Sequence, residues 1–152
     1  MTTLARGNTC EATILQAFVA RGLRVAVPFG DGHPYDLIVD VGGRAILRIQ
    51  CKSAWRNGAI CAFNSRSTDH GNGAQHYRGR ADAFGVYLPE HDVTYLVPVG
   101  ELTSGRAYLR LEPTRNNQRR KVTFAEQYEL DRWSDADLVE LANGTNQLEI
   151  AA

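Results

Sequence analysis

The chain reads as an α/β protein, a mixed central sheet flanked by helices. Three observations lead there: an apolar stripe at helical spacing opens the sequence, two alternating segments follow around a Gly-Gly pair, and short β-rich runs between turn residues fill the middle. A length of 152 residues suits one domain over residues 1–152, able to bury a single core.

The first element is a helix predicted to begin near Asn8, with Leu15, Phe18 and Val19 as its buried stripe and Gly22 as its stop. Glu11 lies on the Leu15 and Phe18 side, so its carboxylate can point at the sheet. Asn8 and Glu11 also have the spacing of a capping box, with Asn in place of Ser or Thr. Position alone leaves both roles open.

Residues 35–41 and 45–52 alternate and are joined by Gly42-Gly43, which predicts a hairpin. Gln50 and Lys52 share one face of its second strand; Leu47, Ile49 and Cys51 take the other. A two-residue turn would pair Val41 with Arg44 and set Asp36 opposite Ile49, on the wrong face for Gln50. A three-residue loop or a bulge is therefore expected, bringing Asp36 across from Gln50, with glycine supplying the positive φ.

Residues 59–63 read as a further strand. Residues 64–80 then lose periodicity and read as a long surface loop, a type often functional. Its Arg66, Gln75, Tyr77, Arg78 and Arg80 offer donors and stacking surface suited to DNA; a disordered tip without a partner is the plain alternative. His70 and His76 lack metal-ligand spacing and are expected to face solvent or DNA. Residues 84–88 and 93–97 read as strands around the turn 89–92, and 107–111 as another. Ser134 and Asp137 start a short helix with Leu138, Leu141 and Ala142 on one side and Asn143-Gly144 as its stop. Its stripe closes the core or, with Trp133, makes a subunit contact.

Net charge is zero, which argues against indiscriminate coating of nucleic acid. The charges are nevertheless segregated. Arg106, Arg110, Arg115, Arg119, Arg120 and Lys121 crowd one stretch, with acids following from Glu126 to Glu140. The basic stretch reads either as a phosphate-binding strip or as a solvated strand and loop. Asn116, Asn117, Gln118 and Arg119 suit base edges, or simply a turn. Cys10, Cys51 and Cys61 are odd in number and lack metal-site spacing, which suits reduced thiols. The sequence shows no signal peptide and no apolar stretch long enough to span a bilayer, so no membrane association is expected, and a cytoplasmic, DNA-associated location is.

Glu11, Asp36, Gln50 and Lys52 belong together chemically. Phosphodiester cleavage needs a hard cation held by oxygens to polarise the phosphate and activate water. Asp36 is the natural anchor ligand, joined by the Gln50 side-chain oxygen, the Cys51 carbonyl and Glu11. Lys52 can orient the nucleophile or offset charge building on the phosphate.

Asp36 followed by Gln50-Cys51-Lys52 resembles the PD-(D/E)XK nuclease signature in the variant where Gln replaces the second acid, and Pro34-Tyr35-Asp36 is similar to its "PD" element. Residues 83–87, 95–98 and 115–118 further resemble the group I intron homing endonucleases of that superfamily, and a Glu on the first helix also resembles archaeal Holliday-junction resolvases. The likeness spans roughly residues 8 to 130. It implies a restriction-endonuclease-like α/β core and a sequence-specific double-strand DNA endonuclease that uses Mg2+, with Mn2+ as a substitute, Glu11 supplying the charge Gln50 lacks. Cleaving both strands with one site per chain implies a homodimer or homotetramer. The alternatives are a structure-selective nuclease such as a junction resolvase, and a catalytically decayed DNA-binding module.

Overall fold

The computed structural model describes residues 1–69, 73–102 and 105–151, of which 67–69, 73–75 and 145–151 by backbone alone. Helix α1 (Thr3–Ala20) starts earlier than Asn8, because the Thr2 hydroxyl accepts from the Ala5 amide at 3.1 Å and caps the first turn. Asn8 and Glu11 sit inside the helix, where backbone amides already have carbonyl partners, so no capping box forms there. The buried ridge is Cys10, Ile14 and Phe18; Leu15 is half-buried and Val19 is 50% exposed, correcting the predicted stripe. Val19 lies about 100° around the axis from Phe18, too far to share one ridge against a flat sheet. The stop at Gly22 is as expected: its φ is +80°, its amide donates to Val19 O at 2.9 Å, and Leu23 N donates to Phe18 O at 3.3 Å.

The hairpin pairs β2 (Leu37–Val41) with β3 (Ala45–Ser53), Val41 opposite Ala45, so its loop has the three residues Gly42, Gly43 and Arg44. Both glycines take left-handed φ, +61° and +72°. Leu37 pairs with Ile49, which sets Asp36 beside Gln50, and Asp36 N donates to Ile49 O at 2.8 Å.

Among the described residues the main sheet has five strands, with β1 (Arg24–Ala26), β2 and β3 followed by β8 (Ala83–Leu88) and β9 (Val93–Pro98). Only β3 and β8 run parallel. Helix α1 and α2 (Asp135–Ala151) cover one face, where Ile14, Phe18, Leu138 and Ala142 meet Leu37, Val39, Leu47 and Ile49. A second, three-stranded sheet covers the other face at β8 and β9: β4 (Trp55–Asn57), β5 (Ile60–Asn64) and β10 (Arg106–Arg110), in the order β10-β5-β4. Its Cys61, Phe63, Ala107 and Leu109 pack on Phe84, Val86, Leu88 and Val97.

This second sheet was not expected, and neither was β4, whose three residues are all exposed and carry no burial alternation to read. Residues 64–80 are likewise not one loop. They contain a small hairpin of β6 (Ser67–Asp69) and β7 (Gly73–Gln75). His70 lies outside the described residues.

Helix α2 keeps its predicted cap, since Asp137 N donates to Ser134 Oγ at 3.1 Å and Ser134 N to Asp137 Oδ2 at 2.9 Å. It then runs through Asn143-Gly144. Glycine costs a helix about 1 kcal/mol but ends it only by leaving helical φ, and the docked Leu138 and Ala142 hold this one in place. Arg21 at the end of α1 ties down the approach to α2, donating to Leu130 O at 2.7 Å and to Trp133 O, and pairing with Asp135 at 3.5 Å.

Two features fix the site's supports. Asp82, 2% exposed, accepts from Arg48 N at 2.6 Å and from its guanidinium at 3.0 Å, locking the start of β8 to β3. A Cβ at Gly85 would lie 2.8 Å from Ile14 Cγ2 and 3.0 Å from Ile49 Cγ2, so the bare glycine lets α1 approach the sheet.

Candidate active site

Asp36, Gln50 and Cys51 meet where β2 begins and β3 ends, with Lys52 next along β3. Asp36 Oδ2 accepts from Gln50 Nε2 at 2.6 Å and from Cys51 N at 2.7 Å. That one oxygen holds the strand end closed, while no described donor bonds Asp36 Oδ1. Gln50 Nε2 also donates to Cys51 O at 3.3 Å.

Glu11 joins them from α1. Two depressions, of about 480 Å³ and about 270 Å³, meet at Glu11 and Asp36; the first is also lined by Asn8, Cys10, Cys51 and Ser53, the second by Pro28, His33 and Tyr35. Larger hollows of about 580 Å³ and about 700 Å³ lie elsewhere.

The electrostatics follow from burial. Desolvation raises the Asp36 pKa above the usual carboxylate value, opposed by the Cys51 amide and by Lys52. Glu11 is raised by desolvation and then by the Asp36 charge. Lys52 is lowered by desolvation, with Asp36 pulling the other way. The Asp36 charge thus reaches Glu11 at a cost that a cation near both would lower.

Lys52 turns away toward the second sheet. Its ammonium donates to Tyr77 Oη at 3.2 Å and to Arg66 O at 3.4 Å, and lies 4.7 Å from the Tyr77 ring centroid. Tyr77 therefore does not offer the stacking surface expected of it. Its ring is 6% exposed and packs edge-on against Phe84, where it shapes the seat of Lys52. The signal for this was available, since Tyr77 is the sole aromatic of the polar stretch 64–80 and a buried aromatic is what such a stretch needs to dock.

The other candidate residues scatter. Arg66 is half-buried beside Gly105, its guanidinium 3.4 Å from His76. Arg78 is exposed and reaches Gly100 O at 3.5 Å, and Arg80 is half-buried. Gln75 has its backbone in β7. Arg115, Asn116, Asn117, Gln118, Arg119, Arg120 and Lys121 form an exposed irregular segment after β10, with a turn in which Asn117 N donates to Thr114 O at 3.0 Å. Asn117, Gln118 and Arg119 line the 700 Å³ hollow with Arg110.

The donor set fits a hard cation. Asp36 and Glu11 offer carboxylate oxygens, and Cys51 a backbone carbonyl. Gln50 contributes oxygen only after its amide turns over, since its nitrogen now faces Asp36. Among the described residues no group of three or more His, Cys, Asp and Glu side chains could hold a metal ion. No described helix is long and apolar enough to cross a membrane.

No curated protein sequence matches the chain. Among solved structures it is similar to a bacterial homing endonuclease, I-Ssp6803I, with a TM-score of 0.71 and 24% identity over 97% of this chain and 98% of that one. A looser likeness is to Hjc of Archaeoglobus fulgidus, a Holliday junction resolvase from an archaeal hyperthermophile, with a TM-score of 0.43 and 19% identity over 69% and 84% of the two chains. The profile of the PD-(D/E)XK endonucleases matches residues 1–131. A mixed sheet whose adjacent strands bring Asp36 to Gln50 and Lys52, matched over that length, makes the chain a member of the PD-(D/E)XK endonuclease family, a nuclease of that type.

Proposed function

We propose that this nuclease is a magnesium-dependent, sequence-specific endonuclease of double-stranded DNA, of the homing type, working as a homodimer or homotetramer. The observation that supports the reading is Asp36 itself, which shares two open depressions with Glu11 and is hydrogen-bonded to Gln50, with Lys52 two residues beyond Gln50 on the same strand. The whole-chain likeness to a homing endonuclease supports the homing type.

In this reading Asp36 is the anchor ligand, and its Oδ1 and the Glu11 carboxylate would help hold the cation. Gln50 releases its hydrogen bond to Asp36 and presents oxygen instead. Mg2+, or Mn2+ in its place, would be held by Asp36, Glu11, the Gln50 side-chain oxygen and the Cys51 carbonyl, and would supply polarisation of the scissile phosphate and activation of water. Lys52 exchanges its bond to Arg66 O for the phosphate or the attacking water, and Tyr77 limits how far its ammonium swings. Arg66, Gln75, Arg78, Arg80 and the segment Arg115 to Lys121 contact duplex around the cut.

The missing third carboxylate favours one rival, a DNA-binding module whose catalysis has decayed. Incubation with Mg2+, a sequence-diverse duplex pool and a synthetic four-way junction, followed by sequencing of the ends, decides. Discrete cuts at one long motif, absent with Lys52→Ala and with EDTA, are expected. Nicking confined to the junction would mean a structure-selective nuclease, and a wild type that binds but never cuts would mean the decayed module.

A further inference from the structure

The outer face of the β10-β5-β4 sheet carries exposed aromatics beside arginines and asparagines. Cross-strand register sorts it into three rows: Arg106 with Asn64; Tyr108, Ala62 and Trp55; Arg110, Ile60 and Asn57. Alternation sends Cys61, Phe63, Ala107 and Leu109 inward to the core, so these rows face outward. The middle row sets two aromatics, Tyr108 at 55% and Trp55 at 37% exposure, on either side of Ala62, which is itself buried between them. The Arg106 guanidinium lies 5.5 Å from the Trp55 ring centroid, a cation stacked on an exposed indole. None of the three rows contains a carboxylate.

Charge and connectivity say what such a face is for. Arginine and asparagine side chains around an aromatic floor suit an anionic partner that also presents flat, hydrogen-bonding edges. A second copy of the chain would set arginine against arginine. The face also adjoins the candidate site, because β4 continues from β3 through Ala54 and Trp55 follows Lys52 by three positions. At its other border β10 runs into the basic segment that holds Arg115, Arg119, Arg120 and Lys121.

We propose that the outer face of this sheet meets duplex DNA in the major groove. Trp55 and Tyr108 make its apolar contacts to thymine methyls and sugars, Asn57 and Asn64 reach base edges, and Arg106 contacts the backbone. The assignment rests on the nuclease reading above and names the surface by which that nuclease holds its target.

The test is the anisotropy of a short labelled random-sequence duplex with the full chain in EDTA, which allows binding without cutting. The variants are Trp55→Ala with Tyr108→Ala, and Arg106→Gln, all at exposed side chains. The double variant is expected to bind about tenfold more weakly. Arg106→Gln should lower the slope of log affinity against log salt by about one. Added duplex should also quench the emission of Trp55, a change that Trp55→Phe abolishes while Trp133 still reports the fold. Variants that bind as the wild type does, with the same slope, would overturn the assignment and leave the nuclease reading intact. Variants that change the sedimenting species but not duplex affinity would overturn it in favour of a subunit contact. A wild type that neither binds nor cuts duplex would remove the nuclease reading, and this surface with it.

Discussion

Gly85→Ala is a change of one methyl group whose effect on the site can be worked through from the packing. The new Cβ would stand 2.8 Å from Ile14 Cγ2, about 1 Å inside the usual contact of carbon atoms near 3.8 Å. The sheet around it is locked on both sides by β3 and β9, so the helix has to yield. Overpacking of this kind costs about 1–3 kcal/mol. Glu11 lies three residues before Ile14 and moves with it, while Asp36, Gln50 and Lys52 stay with the sheet. A displacement of about 1 Å in a reacting constellation can cost about a hundredfold in rate. Denaturant melts and Mg2+-dependent cleavage of duplex, for Gly85→Ala, Ile14→Ala and the pair, read both effects. Ile14→Ala removes the clashing methyl at its own cavity cost of about 2–5 kcal/mol, and Gly85→Ala should then be milder by about 1 kcal/mol or more. Strictly additive stabilities would refute the clash. A destabilised Gly85→Ala with wild-type cleavage would refute the place of Glu11 in the chemistry.

Asp36→Asn should abolish cleavage yet raise the melting temperature near neutral pH. The folded protein raises this carboxyl's pKa through burial, so folding favours its neutral form, and ionisation subtracts stability as pH rises past the ordinary value. A lower melting temperature would show that the hydrogen bonds from Gln50 and Cys51 outweigh desolvation. Ser134→Ala removes the cap of α2 and should cost about 1 kcal/mol by denaturant melts. The Asp137 pKa is lowered by its bonds to Ser134. Its contribution is present above the ordinary value of 3.8 and lost as pH falls through the lower folded value; an acid titration in which Asp137→Asn and wild type draw together as pH falls would show it. Burial raises Cys10 to about 11 and Cys61 to about 12. Both thiols should resist iodoacetamide at pH 8 in the native state, and their stabilising effect should fade as pH climbs from 9 toward those values.

The hairpin was legible because parity leaves so few choices. With Leu47 and Ile49 facing the core, only a loop of odd length puts Asp36 beside Gln50, and the structure has three residues there. The turn at residues 89–92 and the cap at Ser134 were equally plain, each being local chemistry. The second sheet was not legible, because β4 is a short, exposed edge and its pairing with residues 60–62 is decided by packing. Helix α1 shows the same limit. Both Thr2 and Asn8 are fair caps, and only the docking of Cys10, Ile14 and Phe18 chooses between them. The seat of Lys52 on Tyr77 crosses twenty-five positions of irregular chain and left only a compositional trace.

The loop of Gly42, Gly43 and Arg44 lies about 20 Å along β2 from Asp36, at about 3.3 Å per residue, yet it sets the phase of the whole constellation. Removing a single loop residue would shift one strand against the other by one position and exchange inside for outside along its length. Asp36 would then confront Ile49 while the apolar residues of β2 turned toward solvent. Substitutions at these exposed positions that keep the left-handed backbone leave the phase untouched. The place of Asp36 is thus shielded from changes of letter in the loop and exposed to changes of length, so that a three-nucleotide deletion about 20 Å from Asp36, at about 3.3 Å per residue, is expected to abolish cleavage as Asp36→Asn does.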